Sequence, residues 1–255
     1  MSITDELADL KSSVDRLMKE SDENEQIKIL QEIGKKLLTE YVIRIGDITV
    51  KPLWVEAYYY DGKNKAEEDK NAPEGWKTKF RDPFIHGADA QKGEDHFGKL
   101  YFHHKKDDSR SGIDLCLSSG EYYLSFLLKY SLVNDAYTTQ SQLSGKIRKQ
   151  YEALTEEQKS CILRYESRET DKVVFTARVG LKADSEKDSS RKEAKEAYSK
   201  FELAAVRDFH IQYPEKVSLP NKENLIKKYL NENDSGIDKA EFCRIHLGYC
   251  PKEYK

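Results

Sequence analysis

The stretch "LWVEAYYYDG", residues 53–62, places one carboxylate within a run of apolar and aromatic residues. Together with the preceding "YVIRIGDITVKP", it is rich in the β-branched and aromatic residues that favour strands. Gly46-Asp47 is a two-residue turn of the kind that joins hairpin strands. Because Pro52 cannot donate to a strand ladder, the second arm is predicted to bulge or to lie at an edge there. The sequence therefore predicts a hairpin whose second arm carries Glu56.

The orientation of Glu56 has two interpretations. Strand alternation could point its side chain to solvent, while Val55 and Ala57 face inward. Alternatively the carboxylate is buried, which costs several kcal/mol unless the group is paired or hydrogen bonded. A partly desolvated glutamate would suit general-base work on water. The residues alone leave both orientations open.

Helical patterns precede the hairpin and strand patterns follow it. Apolar residues recur at helical spacing in 7–17 and again in 27–38, where Ser21 or Asp22 can cap the second helix. Residues 61–98 lack periodicity, which predicts a long irregular excursion. Three further strands are predicted in "GKLYFHH", "SGIDLCLS" and "EYYLSFLLKYSLV".

The second half of the chain is predicted to be mainly helical. Residues 140–166 and 183–209 have helical character, separated by a strand in "DKVVFTARVGL". Two more helices are predicted in "ENLIKKYLNEN" and in "DKAEFCRIHL", which opens with a capping box at Asp238. We expect an α+β fold, with a mixed, mainly antiparallel curved sheet flanked by helices and a helical C-terminal extension. The predicted division is N-terminal helices in 1–32, an α/β core in 33–182, and the extension in 183–255, packed on the core.

Composition limits the class of protein. The chain has 255 residues and a formal charge of -3, so it lacks the basic excess of an abundant nucleic-acid coat protein. Its four cysteines are scattered and no leader precedes the first charges, which favours reduced thiols and a cytoplasmic location. Mean hydropathy is -0.81, and no apolar run approaches the roughly 20 residues needed to cross a bilayer. We expect a monomer without a membrane partner.

Histidines and aromatic residues form a second candidate group. Tyr101 and His103 share one face of their predicted strand and could stack on a nucleobase, although core aromatics beside surface histidines would have the same pattern. The spacing of the histidines matches no specific zinc motif. We therefore predict no metal and no cofactor. A metal-dependent hydrolase stays a third option, and it would use His86, His96, His103 and His104.

In their order along the chain, these segments resemble the alkyladenine (3-methyladenine) DNA glycosylase family. "KKLLTEYVIRI" leading into "LWVEAYYYDG" is similar to that family's helix, strand pair and "VETEAY" segment, and "DPFIHG" to its His-bearing loop. "GKLYFHH", "GIDLCLS", "LLKYSLV" and "ARVGL" are similar to its "GTLYVY", "CLNVV", "LLRALEP" and "PRIGI" segments. The resemblance covers roughly residues 33–182.

The resemblance implies a hydrolase that flips a damaged purine out of double-stranded DNA and cleaves its N-glycosidic bond. Glu56 would be the catalytic base that activates water. Lys129 stands where the family has an arginine and Asp114 where it has an asparagine, and no amine nucleophile is in the motif, so cleavage would stop at the abasic site. The substrate-binding set would comprise Tyr58, His86, Tyr101, His103, Asp114 and Lys129.

The chain departs from the family in the segment "KKDDSRSG", residues 105–112. The family has an aromatic or apolar hairpin tip there that wedges into the minor groove, whereas Asp107 and Asp108 would meet phosphates. With the acidic overall balance, this departure supports an alternative: a non-catalytic binding protein of the same fold, with a nucleoside-like ligand or a protein partner.

Overall fold

The computed structural model has the predicted α+β fold, in which helices pack on a curled antiparallel sheet. Every pairing between its described strands is antiparallel. The structure describes residues 6–60, 82, 91, 93–103, 112–118, 122–168, 173–178, 201–207, 223, 226–227, 230–231, 238–247 and 249–254.

The helices begin where the sequence offers capping groups. Asp22 caps the second helix, because its side chain accepts hydrogen bonds from the backbone N–H groups of Asn24 and Glu25 at 3.0 and 3.1 Å. This confirms one of the two predicted caps. The helices with complete bounds are α1 Ala8–Lys19, α2 Glu23–Thr39, α3 Gln140–Glu152, α4 Glu156–Lys159 and α5 Lys239–Leu247.

The strands confirm the predicted hairpin and add elements to it. Gly46 has a φ of +60°, which the tight turn between the first two strands requires. The strands are β1 Tyr41–Ile45, β2 Ile48–Tyr60, β3 Leu100–Phe102, β4 Ile113–Cys116, β5 Tyr123–Val133, β6 Ala136–Thr139, β7 Leu163–Tyr165, β8 Val173–Thr176 and β9 Ala204–Arg207.

The long strands β2 and β5 form the centre of the sheet. β2 pairs with β5 along one edge, and along its opposite edge it pairs first with β1 and then with β9. In the same way, the edge of β5 that faces away from β2 pairs with β4 at one end and with β6 at the other. β3, β7 and β8 extend the sheet from β4, β1 and β9. The central pair therefore carries two branches on each side.

The pairing of β2 with β5 is irregular next to Pro52. The register shifts between Pro52 and Trp54 and again between Trp54 and Val55. Leu53 on one strand and Lys129 on the other consequently have no opposite residue in this pairing. These are β-bulges, as predicted for Pro52, and a bulge changes which face the following side chains occupy.

The two faces of the sheet pack against different hydrophobic clusters. One face packs on α2 and forms the main core, which includes Val55, Ala57 and Tyr59 of β2. Gly34 allows this close contact, because a Cβ there would lie 3.2 Å from the Cβ of Ala205. A second, smaller core covers one end of the opposite face. It comprises Trp54, Val174, Ala204, Val206, Ile226, Leu230, Phe242 and Cys243.

Two helix predictions in the second half of the chain are wrong where strands form. Leu163–Tyr165 is β7, which pairs with β1, and Ala204–Arg207 is β9, which pairs with β2 and β8. β9 is buried on both faces, so it lacks the alternation that marks a strand in sequence. β6 was not predicted either, although its turn at Asn134-Asp135 has positive φ at both residues.

Candidate functional site

A row of side chains crosses the sheet on the face opposite the main core. Asp114 of β4 and Glu56 of β2 are both paired with Leu127 of β5. Tyr101 of β3 is paired with Asp114 and extends the row. Residues directly opposite in antiparallel strands share a face, and neighbouring strands lie about 4.8 Å apart. The backbones of Asp114 and Glu56 are therefore separated by two strand spacings, roughly 10 Å.

Glu56 lies in this row with its side chain fully buried. The solvent-facing interpretation is therefore wrong, although Val55 and Ala57 do face the main core. The Tyr58 hydroxyl donates to Glu56 Oε2 over 3.3 Å, and Lys129 Nζ lies 3.6 Å from the same oxygen. Burial, followed by the charge of Glu56, raises the pKa of Tyr58 well above its usual value, so the phenol keeps the proton that it donates.

Lys129 reaches Glu56 because it occupies the bulge in β5. Its ammonium group compensates the charge of the buried carboxylate, and its side chain keeps a 17% exposed fraction while Glu56 has none. Bulges are frequent beside functional sites, where they re-aim a side chain. Lys129 and the bulge thus place a partly exposed cation beside the fully buried acid.

The other end of the row is a hydrogen-bonded network around Asp114. His103 Nε2 lies 2.9 Å from Asp114 Oδ2, and Gln91 Nε2 donates to the same oxygen over 3.1 Å. Since a carboxylate only accepts, His103 is the donor in this contact, through Nε2–H. Cys116 Sγ in turn donates to Gln91 Oε1 over 3.1 Å. Burial, followed by the charge of Asp114, raises the pKa of the Cys116 thiol, which therefore remains a donor.

Gly112 gives His103 its place in the network. A Cβ at Gly112 would lie 2.7 Å from His103 Nδ1, which is too close for any side chain. The backbone N–H of His103 also donates to the Gly112 carbonyl over 2.9 Å. The imidazole therefore lies across the glycine and beside the Tyr101 ring, with 5.7 Å between the two ring centroids.

A buried ion pair covers the Tyr58 side of the site. The Arg178 guanidinium is paired with Asp82, and the side chains of both residues are fully buried. Arg178 Nη1 also donates to the Ala57 carbonyl over 3.1 Å, and the guanidinium lies 4.5 Å from the centroid of the Tyr58 ring. Arg178 therefore fixes both the backbone and the aromatic ring next to Glu56.

All the predicted site residues that the structure describes lie on this one face: Glu56, Tyr58, Tyr101, His103, Asp114 and Lys129. The predicted His86, and His104 of the metal option, lie outside the described residues. Sequence reasoning missed Gln91, Gly112, Asp82 and Arg178. Asp82 and Arg178 belong to "DPFIHG" and "ARVGL", so the quoted segments contained both, but Gln91 had no recognisable signal.

Neither a protein-family model nor a curated protein matches the chain. The resemblance to the glycosylase family accordingly stays a prediction. Within the described part of the chain, no three His, Cys, Asp or Glu side chains are grouped as metal ligands. None of the helices in that part is long and apolar enough to cross a bilayer.

Proposed function

We propose that the chain is a DNA glycosylase-like hydrolase that removes an alkylated or damaged purine from DNA. The observation that carries this proposal is Glu56, a fully buried acid on the sheet face that does not form the main core. A buried carboxylate contributes little to stability even when it is paired. Departures of this kind from ordinary core composition are expected at functional sites.

In the proposed reaction, Glu56 acts as a general base. Its carboxylate accepts a proton from a water molecule while the water oxygen bonds to C1′ of the deoxyribose. The bond between C1′ and the base nitrogen breaks, and its electron pair leaves with the purine. A cationic alkylated base departs as a neutral molecule and needs no acid. The products are the free base and an abasic site, and Lys129 and Tyr58 keep the carboxylate oriented throughout.

Tyr101 and His103 are the proposed platform for the extruded base. Their rings are neighbours, and they stand at the Asp114 end of the row. Aromatic faces stack on a base that has left the duplex, whatever its sequence context. The purine would then lie over Leu127, with its sugar towards Glu56.

Base release from methylated duplex DNA tests the proposal. Glu56→Gln keeps the shape of the side chain but removes the base, so we expect the single-turnover rate to fall by roughly 10²- to 10⁴-fold. Glu166→Gln is the matched control, because Glu166 pairs with Arg44 at the surface and should leave the rate unchanged. Equal release by wild type and Glu56→Gln would exclude Glu56 from the reaction. No release by the wild type above a protein-free blank would overturn the function.

A second candidate is a non-catalytic binding protein, which the formal charge of -3 favours. A protein that contacts several phosphates loses affinity steeply as salt rises. Fluorescence anisotropy of a labelled duplex between about 50 and 200 mM salt, over which the Debye length falls roughly twofold, separates the two functions. Absent or salt-independent binding would favour a protein or small-molecule partner over DNA.

A further inference from the structure

Asp114 has one carboxylate oxygen that accepts nothing from the described part of the chain. Its side chain is only 3% exposed, and Oδ2 takes both hydrogen bonds, from His103 and from Gln91. Oδ1 is buried, and no described donor reaches it. A buried charged acceptor without a donor costs more free energy than a buried neutral acceptor without one. An oxygen in this position is explained most simply as a binding group.

The donors already present determine what the free oxygen can bind. A carboxylate oxygen has two lone pairs, so His103 and Gln91 fill the capacity of Oδ2. Oδ1 therefore remains available to a donor, whereas an approaching acceptor would meet a buried negative charge. The nearby Tyr101 is also influenced by that charge, since burial and then Asp114 raise its pKa.

The position of Asp114 relative to Glu56 relates this oxygen to a particular edge of a purine. The backbones of the two residues stand on either side of Leu127, roughly 10 Å apart along the row. In a purine nucleoside the sugar is attached to the five-membered ring, and the amino groups of adenine and guanine are on the six-membered ring. A nucleoside with its C1′ at Glu56 would therefore direct its amino edge towards Asp114.

We infer that Asp114 Oδ1 selects purines that carry an exocyclic amino group on the six-membered ring. This inference rests on the proposed function, because it assumes that a purine lies between Asp114 and Glu56. It assigns the discrimination to Asp114, while His103 and Gln91 hold the carboxylate in its orientation. Purines that are identical except for the amino group should consequently bind with different affinities.

Matched nucleosides test the selection directly. The 2′-deoxyribosides of 2-aminopurine and purine differ only in one amino group, as do deoxyguanosine and deoxyinosine. Titration of each into the wild-type protein, followed by NMR shifts, should give an affinity at least about tenfold higher for the amino-bearing member of each pair, as for a hydrogen bond to a charged group. Equal affinities, or no binding by either member, would overturn the inference.

Asp114→Asn sharpens the test. Because His103 and Gln91 donate to the Oδ2 position, the amide oxygen is expected to take that position and to place its NH₂ group at Oδ1. The variant should then lose the preference or invert it in favour of purine and deoxyinosine. Asp114→Ala should bind both members of a pair equally. A melting temperature equal to that of the wild type would show that this variant is folded. A retained amino preference in both variants would exclude Asp114.

The nucleoside titrations are independent of base release. If methylated DNA loses no base but amino-bearing nucleosides still bind more tightly, the glycosylase proposal fails and the selection by Asp114 stands. If base is released but the matched nucleosides bind alike, the selection fails and the hydrolase remains.

Discussion

At the scale of single residues, the position of Glu56 depends on the number of residues in the bulge. Val50 belongs to the main core, and in an unbroken strand every second residue after it would face that core, including Glu56. The extra residue, Leu53, shifts the alternation, so that Val55 takes the core side instead. One residue therefore decides whether the acid points into the hydrophobic core or into the site.

Gly112 provides a test of the network at the same scale. Gly112→Ala should displace His103, because the new Cβ would meet the imidazole at 2.7 Å. We expect a loss of about 1–3 kcal/mol in the free energy of unfolding, measured by urea denaturation, as for overpacking at other crowded sites. The His103 Nε2–H resonance should also lose the shift that its bond to Asp114 causes.

Gly145 is the internal control for that substitution. It lies in α3 with nothing within 4 Å of an added Cβ. Gly145→Ala should therefore stabilise the protein by roughly 0.5–1 kcal/mol, the usual gain in a helix interior. If both variants had the same effect, the contact of Gly112 with His103 would not be the cause.

At the scale of elements, the pair formed by Arg178 and Asp82 joins parts of the chain that the sheet alone does not connect. Asp82 lies beyond β2, and its backbone N–H donates to the Tyr59 carbonyl at 3.3 Å. Arg178 follows β8 and contacts both Asp82 and the Ala57 carbonyl. The pair thus fixes both residues against the strand that carries Glu56.

Removal of one partner should be costly. Arg178→Met leaves the Asp82 carboxylate buried without its cation, so we expect a loss of about 3–5 kcal/mol in the free energy of unfolding. In the double variant, Asp82→Leu with Arg178→Met, most of that loss should be recovered, because no unpaired charge remains. Guanidinium denaturation of the two single variants and the double variant gives the coupling energy. A loss below about 1 kcal/mol for Arg178→Met would contradict the role of the buried pair.

The elements also show how far the sequence predicts this molecule. The hairpin, the Asp22 cap and the irregularity at Pro52 follow from local chemistry, and all were predicted. β7 and β9 depend on pairing with β1 and β2, which lie far away in sequence, so local patterns favoured helix instead. The sequence was sufficient to select the polar site residues as candidates. The presence of Pro52 predicts an irregularity but not the number of residues that the bulge adds. The face occupied by Glu56 therefore required the structure.

At the scale of the whole molecule, ion pairs tie the helices to the sheet edge. Glu156, in the first turn of α4, contacts Lys159 at 2.7 Å and Lys99, next to β3, at 3.0 Å. Its hydrogen bonds to Lys159 and Lys99 lower the pKa of the carboxyl to about 2. Because this folded-state pKa lies below the ordinary value of 4.5, Glu156 stabilises the native state above pH 4.5.

This stabilisation should disappear with acid. As the pH falls from 4.5 towards 2, the carboxyl takes up its proton in the unfolded chain before the folded one, and the contribution is lost. Glu156→Gln should therefore lower the melting temperature slightly at pH 7, with a difference that vanishes near pH 2. Scanning fluorimetry of both proteins from pH 7 to pH 2 measures it. A difference that grows with acid would contradict the sign.

One edge of β2 pairs with two strands, β1 and β9, and this has a consequence for the order in which the sheet forms in the cell. β9 covers the stretch of β2 that includes Glu56, yet it is synthesised about 150 residues later. During translation, that stretch leaves the ribosome long before its neighbour exists. An uncovered strand edge is a template for wrong pairing, so the nascent chain is most vulnerable to aggregation in this interval. Chaperone capture should consequently be concentrated on ribosomes that have not yet completed β9.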